Sequence, residues 1–154
     1  MEEILIRRMT EDDAPYLSAI DQKTFSMPWK TEDFLEMIAK ESVAYYVAKI
    51  DGEIVGGAGV RNILGDGEIT NVVVDENFRR RGIARRLLTE LMDEGRRLGV
   101  TAFTLEVRAG NAPAINLYES LGFAGVGYRK NFYERPTEDA LIMWTERLLF
   151  TADI

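Results

Sequence analysis

The sequence predicts an α/β protein: one domain on a mixed sheet of six or seven strands, antiparallel in its N-terminal part, with a parallel pair at its centre and about four flanking helices. Three observations carry that prediction. Asp51-Gly52 separates two apolar runs, Val43 to Ile50 and Ile54 to Val60, in the pattern of a two-residue hairpin. Glu68 to Val74 reads as a strand, followed by a polar turn, an amphipathic helix and a second strand, Phe103 to Val107; a crossover helix between two strands makes them parallel, with a right-handed connection. Two last runs, Phe123 to Asn131 and Asp139 to Leu148, form a closing hairpin around the loop Phe132 to Glu138.

In chain order, Ile4 to Met9 has the apolar content of a strand. Thr10, followed by Glu11, Asp12 and Asp13, looks like a helix start with Asp13 in the reciprocal position of a capping box. Leu17, Ile20 and Phe25 line one face of a helix ending near Thr24, and Pro28 then interrupts the segment FSMPW. That leaves Met27 and Trp29 in a loop, where large apolar side chains are either core plugs or the wall of a binding site. A second helix starts with Thr31 as N-cap and turns Phe34, Leu35 and Ile38 inward. Gly56, Gly57 and Gly59 weaken the strand that contains them, which points to a bulge or to close approach by a neighbour. Asn62 to Gly67 is a turn. A helix opening at Gly82 places Ala84, Leu87, Leu88, Leu91 and Met92 on one face and stops at Leu98, where Gly99 suits the C-terminal cap. Asn111 caps a helix from Ala112 to Leu121, with Pro113 in its first turn and Gly122 at its end. The domain is expected over residues 1–149, with 150–154 a tail that carries no signal.

Composition narrows the chemistry. A chain of 154 residues with 46% hydrophobic content suits a single core, no run approaches a membrane span, and the charged start MEEILIRRMTEDD does not resemble a signal peptide, so a cytoplasmic protein is expected. With no Cys and no His, thiolate nucleophiles, His relays and the usual zinc ligands are excluded, and acid-base work falls to Asp, Glu, Lys or Tyr. The net charge of -7 is unevenly spread: residues 1–53 hold 6 basic and 12 acidic side chains, whereas Arg79, Arg80, Arg81, Arg85 and Arg86 fall within eight positions. An acidic body disfavours general nucleic-acid binding and suits a basic peptide.

The stretch NVVVDENFRRRGIARRLL, Asn71 to Leu88, joins a strand to a helix N-terminus through a basic loop. Free N–H groups at such a junction, with small Gly82 and Ala84 allowing close approach, make a cradle for phosphate oxygens; the alternative is a solvated basic helix start. It lacks the Gly-Lys-Ser/Thr ending of a P-loop and the three glycines of a dinucleotide fingerprint. Glu106, inside the strand FTLEV, either faces a cleft as a working group or pairs with Arg108 two residues on. Asn111 and Tyr118 lie two helical turns apart on one face, as cap and packing residue or as parts of a site.

The spacing Arg79-x-x-Gly82-x-Ala84 resembles the acetyl-CoA pyrophosphate loop of the GNAT acetyltransferase superfamily. LEVRAGNAPAINLYESLGF, Leu105 to Phe123, resembles the second half of the GNAT core. Within that superfamily it resembles the bacterial enzymes that acetylate the N-terminal alanine of a small-subunit ribosomal protein. YRKNFYERPTEDALIM, Tyr128 to Met143, and FSMPW resemble the closing hairpin and first substrate loop of those enzymes. The resemblance implies acetyl-CoA as co-substrate and no metal. Asn71, Val72 and Val73 would pair with the pantetheine arm, and Arg79, Arg80, Arg81, Gly82, Ile83 and Ala84 would hold the pyrophosphate. Asn111 would touch the cofactor arm, Glu106 would be general base, and Tyr118 the acid for the leaving thiolate. Phe25, Trp29 and Tyr133 would border the peptide N-terminus. Ala84 stands where many members have Gly, and Phe132 where a Tyr is common. The partner implied is a protein N-terminus met by a monomer, with neither membrane nor nucleic acid. The competing readings are a small-molecule amine acetyltransferase and, outside enzymes, an acyl-CoA-binding or RNA-contacting module.

Overall fold

The computed structural model describes residues 3–148, so the predicted tail 150–154 lies outside the described residues. In chain order the elements are β1 (Ile4–Arg8), α1 (Ala14–Thr24), α2 (Thr31–Ile38), β2 (Val43–Ile50), β3 (Glu53–Ile63), β4 (Asp66–Val74), α3 (Ile83–Arg97), β5 (Ala102–Arg108), α4 (Ala112–Ser120), β6 (Ala124–Tyr133) and β7 (Glu138–Trp144). The strands form one seven-stranded sheet in the order β1-β2-β3-β4-β5-β7-β6. All neighbours are antiparallel except β4 and β5.

Local chemistry explains the turns. Asp51 and Gly52 both take left-handed backbone, with φ of 50° and 80°, as a type I′ hairpin requires. Leu64 and Gly65 do the same, at 51° and 95°, so the turn predicted over Asn62 to Gly67 tightens to two residues and both strands lengthen. Asp13 accepts the Thr10 backbone N–H at 2.8 Å, the reciprocal half of the expected capping box, and takes both guanidinium nitrogens of Arg7 at 2.7 and 2.9 Å. The second helix differs by one residue from expectation. Its cap is Lys30 rather than Thr31, because the Asp33 carboxylate accepts the Lys30 N–H at 2.8 Å and so satisfies the donor a Thr cap would have left outside.

The sheet is covered on both faces. Leu87, Leu88 and Leu91 of α3, each fully buried, pack with Val55, Val60 and Phe103, and full burial of each such side chain contributes roughly 1.5–3 kcal/mol. On the other face Leu17 and Ile20 of α1 and Phe34 and Met37 of α2 pack on Tyr45, Val47 and Val73. The glycines of β3 serve Tyr45. A Cβ at Gly57 would stand 2.5 Å from the Tyr45 hydroxyl oxygen, and one at Gly59 2.7 Å from its Cδ2, so the ring lies in a slot made by two missing side chains.

Two irregularities part the sheet. The parallel ladder has only three rungs, Asp66↔Ala102, Gly67↔Phe103 and Glu68↔Thr104. Beyond them β5 stays with β7, while β4 stays with β3 and bulges: Gly57 pairs with Val73 and Gly59 with Thr70, leaving Asn71 and Val72 opposite Ala58. Asn71 takes a left-handed φ of 52° there, and a bulge of this kind bends its strand. The middle of the sheet therefore opens.

Candidate active site

The opening between the outer halves of β4 and β5 leads into a cleft of about 1540 Å³. Its walls are Ile69 to Val74 of β4, Thr104 to Arg108 of β5, the start of α3, the inner face of α4 and the loops before α2 and between β6 and β7. Every residue predicted for the site lines this cleft except Arg81.

One end is cationic. Arg80 and Gly82 are left-handed, with φ of 65° and 77°, and Gly82 is the N-cap of α3. The first turn of a helix has N–H groups without intrahelical acceptors, and these meet the positive end of the helix dipole. A Cβ at Gly82 would meet nothing within 4 Å, so glycine is needed there for its backbone angle rather than for space. The five arginines do not act as one cluster. Arg79, Arg80 and Arg85 line the cleft, Arg79 donating to the Val74 carbonyl at 3.2 Å and Arg85 to Ser120 Oγ at 2.8 Å. Arg86 turns away to the Ile4 carbonyl, and Arg81 lies over the Phe78 ring, 5.1 Å from its centroid.

The other end is acidic and aromatic. Glu106 projects into the cleft with its side chain 28% exposed, and its partner is Arg129 of β6, Nε to Oε2 at 3.4 Å, not the Arg108 that the strand spacing offered. Tyr118 is buried, its ring edge-on to Phe123 at 5.9 Å. Burial, then the neighbouring Tyr133, push its hydroxyl up to about 12, so it remains protonated at any working pH. Tyr133 also rises to about 12, through burial and then the Glu106 carboxylate, against the pull of the nearby Arg108 cation. Asn111 caps α4 by accepting the Ala114 N–H at 3.3 Å while facing the cleft, so it serves as cap and wall together.

FSMPW combines a core plug with a cleft wall. Trp29 packs edge-on to Phe34 at 5.2 Å and is partly buried, whereas Phe25 and Met27 are 38% and 49% exposed at the cleft wall. Sequence reasoning missed what holds this segment. Arg108 donates to Ser26 Oγ at 3.0 Å, to the carbonyls of Glu134 and Pro136 at 3.0 and 2.9 Å, and to Glu138 at 3.2 Å, and it stacks on Tyr133 at 4.6 Å. One guanidinium thus clasps β5 to both loops over the cleft. Asp21, at 0% exposure, was also missed. A lone Asp on an otherwise apolar helix face was its only sequence signal. Asn71, predicted for its backbone, sends its side chain into the core, Nδ2 to Asp21 at 2.7 Å and Oδ1 to the Tyr45 hydroxyl at 2.6 Å. Among the described residues no cluster of acidic side chains could hold a metal, and no helix is long and apolar enough to cross a membrane.

A sheet parted at its centre, with an anion-seeking helix start on one side and a carboxylate and protonated tyrosines on the other, is the architecture of an N-acetyltransferase. The profile of the Acetyltransferase (GNAT) family matches residues 14–123, and the chain belongs to that family. It is similar to the [ribosomal protein bS18]-alanine N-acetyltransferase of Salmonella typhimurium, 38% identical over 141 residues that cover 88% of this chain and 92% of the relative. The enzyme of the same name from Escherichia coli K12 is 35% identical over 142 residues, covering 90% and 94%. The crystal structure of the ribosomal-protein-S18-alanine N-acetyltransferase from Escherichia coli superposes with a TM-score of 0.89 at 32% identity, over 99% of both chains.

Proposed function

We propose that this acetyltransferase moves the acetyl group of acetyl-CoA to the α-amine of a protein N-terminus, the N-terminal alanine of a small-subunit ribosomal protein, by direct attack in a ternary complex. The observation that carries the proposal is the parted sheet: a cleft between β4 and β5, lined by the cationic helix start at one end and by Glu106 with the residues of two loops at the other. Acetyl-CoA suits the first end. The first-turn N–H groups of α3 with Arg79 and Arg80 would hold the pyrophosphate, and the backbone of Asn71 to Val73, which lies beyond the last rung to β5, would receive the amides of the pantetheine arm. On this reading the enzyme works as a monomer in the cytoplasm, the compartment of a ribosomal-protein substrate.

The chemistry follows from proton bookkeeping. An α-amine with a pKa of ~7.7–8.0 is roughly a tenth to a sixth neutral at pH 7, against under about one in a thousand for a lysine at ~10.4. A carboxylate is then a sufficient base, and Glu106, acting through water, takes the proton released as nitrogen bonds to the thioester carbonyl. A backbone N–H near Val73 holds the oxyanion. Tyr118, kept protonated by burial, donates to the departing sulfur. With no Cys in the chain, direct transfer replaces a thiol acyl-enzyme.

The test is acetyl transfer to two basic peptides that begin as the ribosomal protein does, one with a free alanine amine and one blocked there but retaining an internal Lys, with products mapped by mass spectrometry. Acetylation of the free α-amine alone is expected. Tight acetyl-CoA binding with neither peptide modified would overturn the peptide reading and return the substrate to a small amine.

A further inference from the structure

Acetyl transfer by Glu106 and Tyr118 makes no use of the most completely buried ionisable group in the cleft wall. Asp21 lies on α1 with no exposed surface. Its Oδ2 accepts two donors, Asn71 Nδ2 at 2.7 Å and the Trp29 backbone N–H at 3.1 Å, while Oδ1 is buried without a partner. A bare carboxylate oxygen in an interior is costly, and a neutral side chain of the same shape would avoid that cost. The two donors explain its retention, because they belong to different halves of the site. Asn71 is the left-handed residue of the β4 bulge, where the sheet begins to part. Trp29 ends the segment that walls the peptide side, and its carbonyl is held as well, by Ser18 Oγ at 3.0 Å. Behind Asn71, the Tyr45 hydroxyl fills the amide oxygen at 2.6 Å, in the slot left by Gly57 and Gly59. The chain of contacts runs from β2 through the bulge to the peptide loop without a gap.

We propose that Asp21 is a positioning residue shared by the two substrates: by accepting from Asn71 and from Trp29 on one oxygen, it fixes the peptide loop against the bulge that shapes the acetyl-CoA strand. It touches neither reacting centre. Tyr45 is the titratable group facing it, and Lys23 on the same helix is turned to Asp75 at 3.2 Å, so among the described residues no cation neutralises it. Burial raises its pKa to about 6, with the two hydrogen bonds pulling the other way, which leaves it largely ionised above neutrality.

The proposal rests on the N-terminal acetylation reading for its peptide arm alone. Full-length Asp21→Ala is measured for peptide KM, kcat and acetyl-CoA Kd by calorimetry. Loss of charge-assisted hydrogen bonds should raise the peptide KM about tenfold and the acetyl-CoA Kd about threefold, with kcat at saturation within about threefold. Asp21→Asn keeps an acceptor oxygen and should recover most of both losses, a rescue that a general packing role would not give. An Asp21→Ala protein with native circular dichroism and unchanged KM and Kd overturns the proposal, and so does an Asn variant as impaired as the Ala variant. Should Asp21→Ala fail to fold, Asn71→Gly decides: glycine accepts the left-handed angle but removes the bridging amide, and an unchanged peptide KM sinks the idea. If the wild type binds acetyl-CoA but leaves the free α-amine untouched, the functional reading falls, and the acetyl-CoA Kd of Asp21→Ala alone judges the clamp.

Discussion

The two ends of the cleft are built in opposite ways. The cationic end comes from one continuous stretch, Asn71 to Ala84, in which strand, loop and helix start follow one another. The other end, where we propose the peptide binds, is assembled from α1, the loop before α2, β5, β6 and the loop before β7, and it depends on side chains meeting across long sequence distances: Arg108 with Ser26, Glu106 with Arg129, Asp21 with Asn71. A site for an invariant cofactor can be written locally. A site that selects a peptide is spread over loops that can vary independently on a fixed scaffold.

The sharpest way to break that comparison is at Glu106. Glu106→Gln should lower kcat about 100-fold and leave the acetyl-CoA Kd within about twofold, because in the proposed mechanism the carboxylate serves the amine and not the cofactor. A comparable loss of acetyl-CoA affinity would show that the two ends are not separate. The converse variant, Arg79→Ala, should weaken acetyl-CoA about tenfold in calorimetry with the peptide KM nearly unchanged, and the loss should shrink as salt screens the interaction.

Tyr118→Phe tests the junction between the ends. With its hydroxyl pushed up to about 12, the tyrosine cannot set a basic limb in the accessible range. The variant should lose about tenfold in kcat evenly from about pH 6 to about pH 10, rather than reshape the pH profile. A loss confined to high pH would contradict the raised value. The smallest effect is on stability. The pKa of Asp21 stands at about 6 in the fold against an ordinary 3.8, so its contribution to stability is full below the ordinary value and lost as pH rises through about 6. Asp21→Asn should therefore melt about 2–4 °C above the wild type at pH 7.5, with the gain shrinking toward pH 5 in a thermal scan.

The same division decides what can be read from the sequence. The hairpin at Asp51-Gly52, the parallel crossover and the basic helix start are local signals, and each appears where spacing places it. The glycines of β3 announce a close neighbour, but not that it is Tyr45, since the partner depends on register between strands. Arg108 is visible in the sequence only as a residue two places from Glu106. Its clasp on Ser26, Glu134 and Pro136 exists because the sheet order brings β7 beside β5, and nothing in a linear spacing encodes that. Propensity favours Thr31 as a cap, and one well-placed carboxylate, Asp33, moves the boundary.

The three-rung ladder between β4 and β5 also changes how the molecule must guard itself. An ordinary open sheet has two edges to protect from stray pairing. This one has four, because the parting creates a facing pair of edges in its own interior. They sit in a recess lined in part by α3 and α4. On the proposed reading, the amide-bearing arm of acetyl-CoA would supply the piece of sheet that is missing between the facing edges.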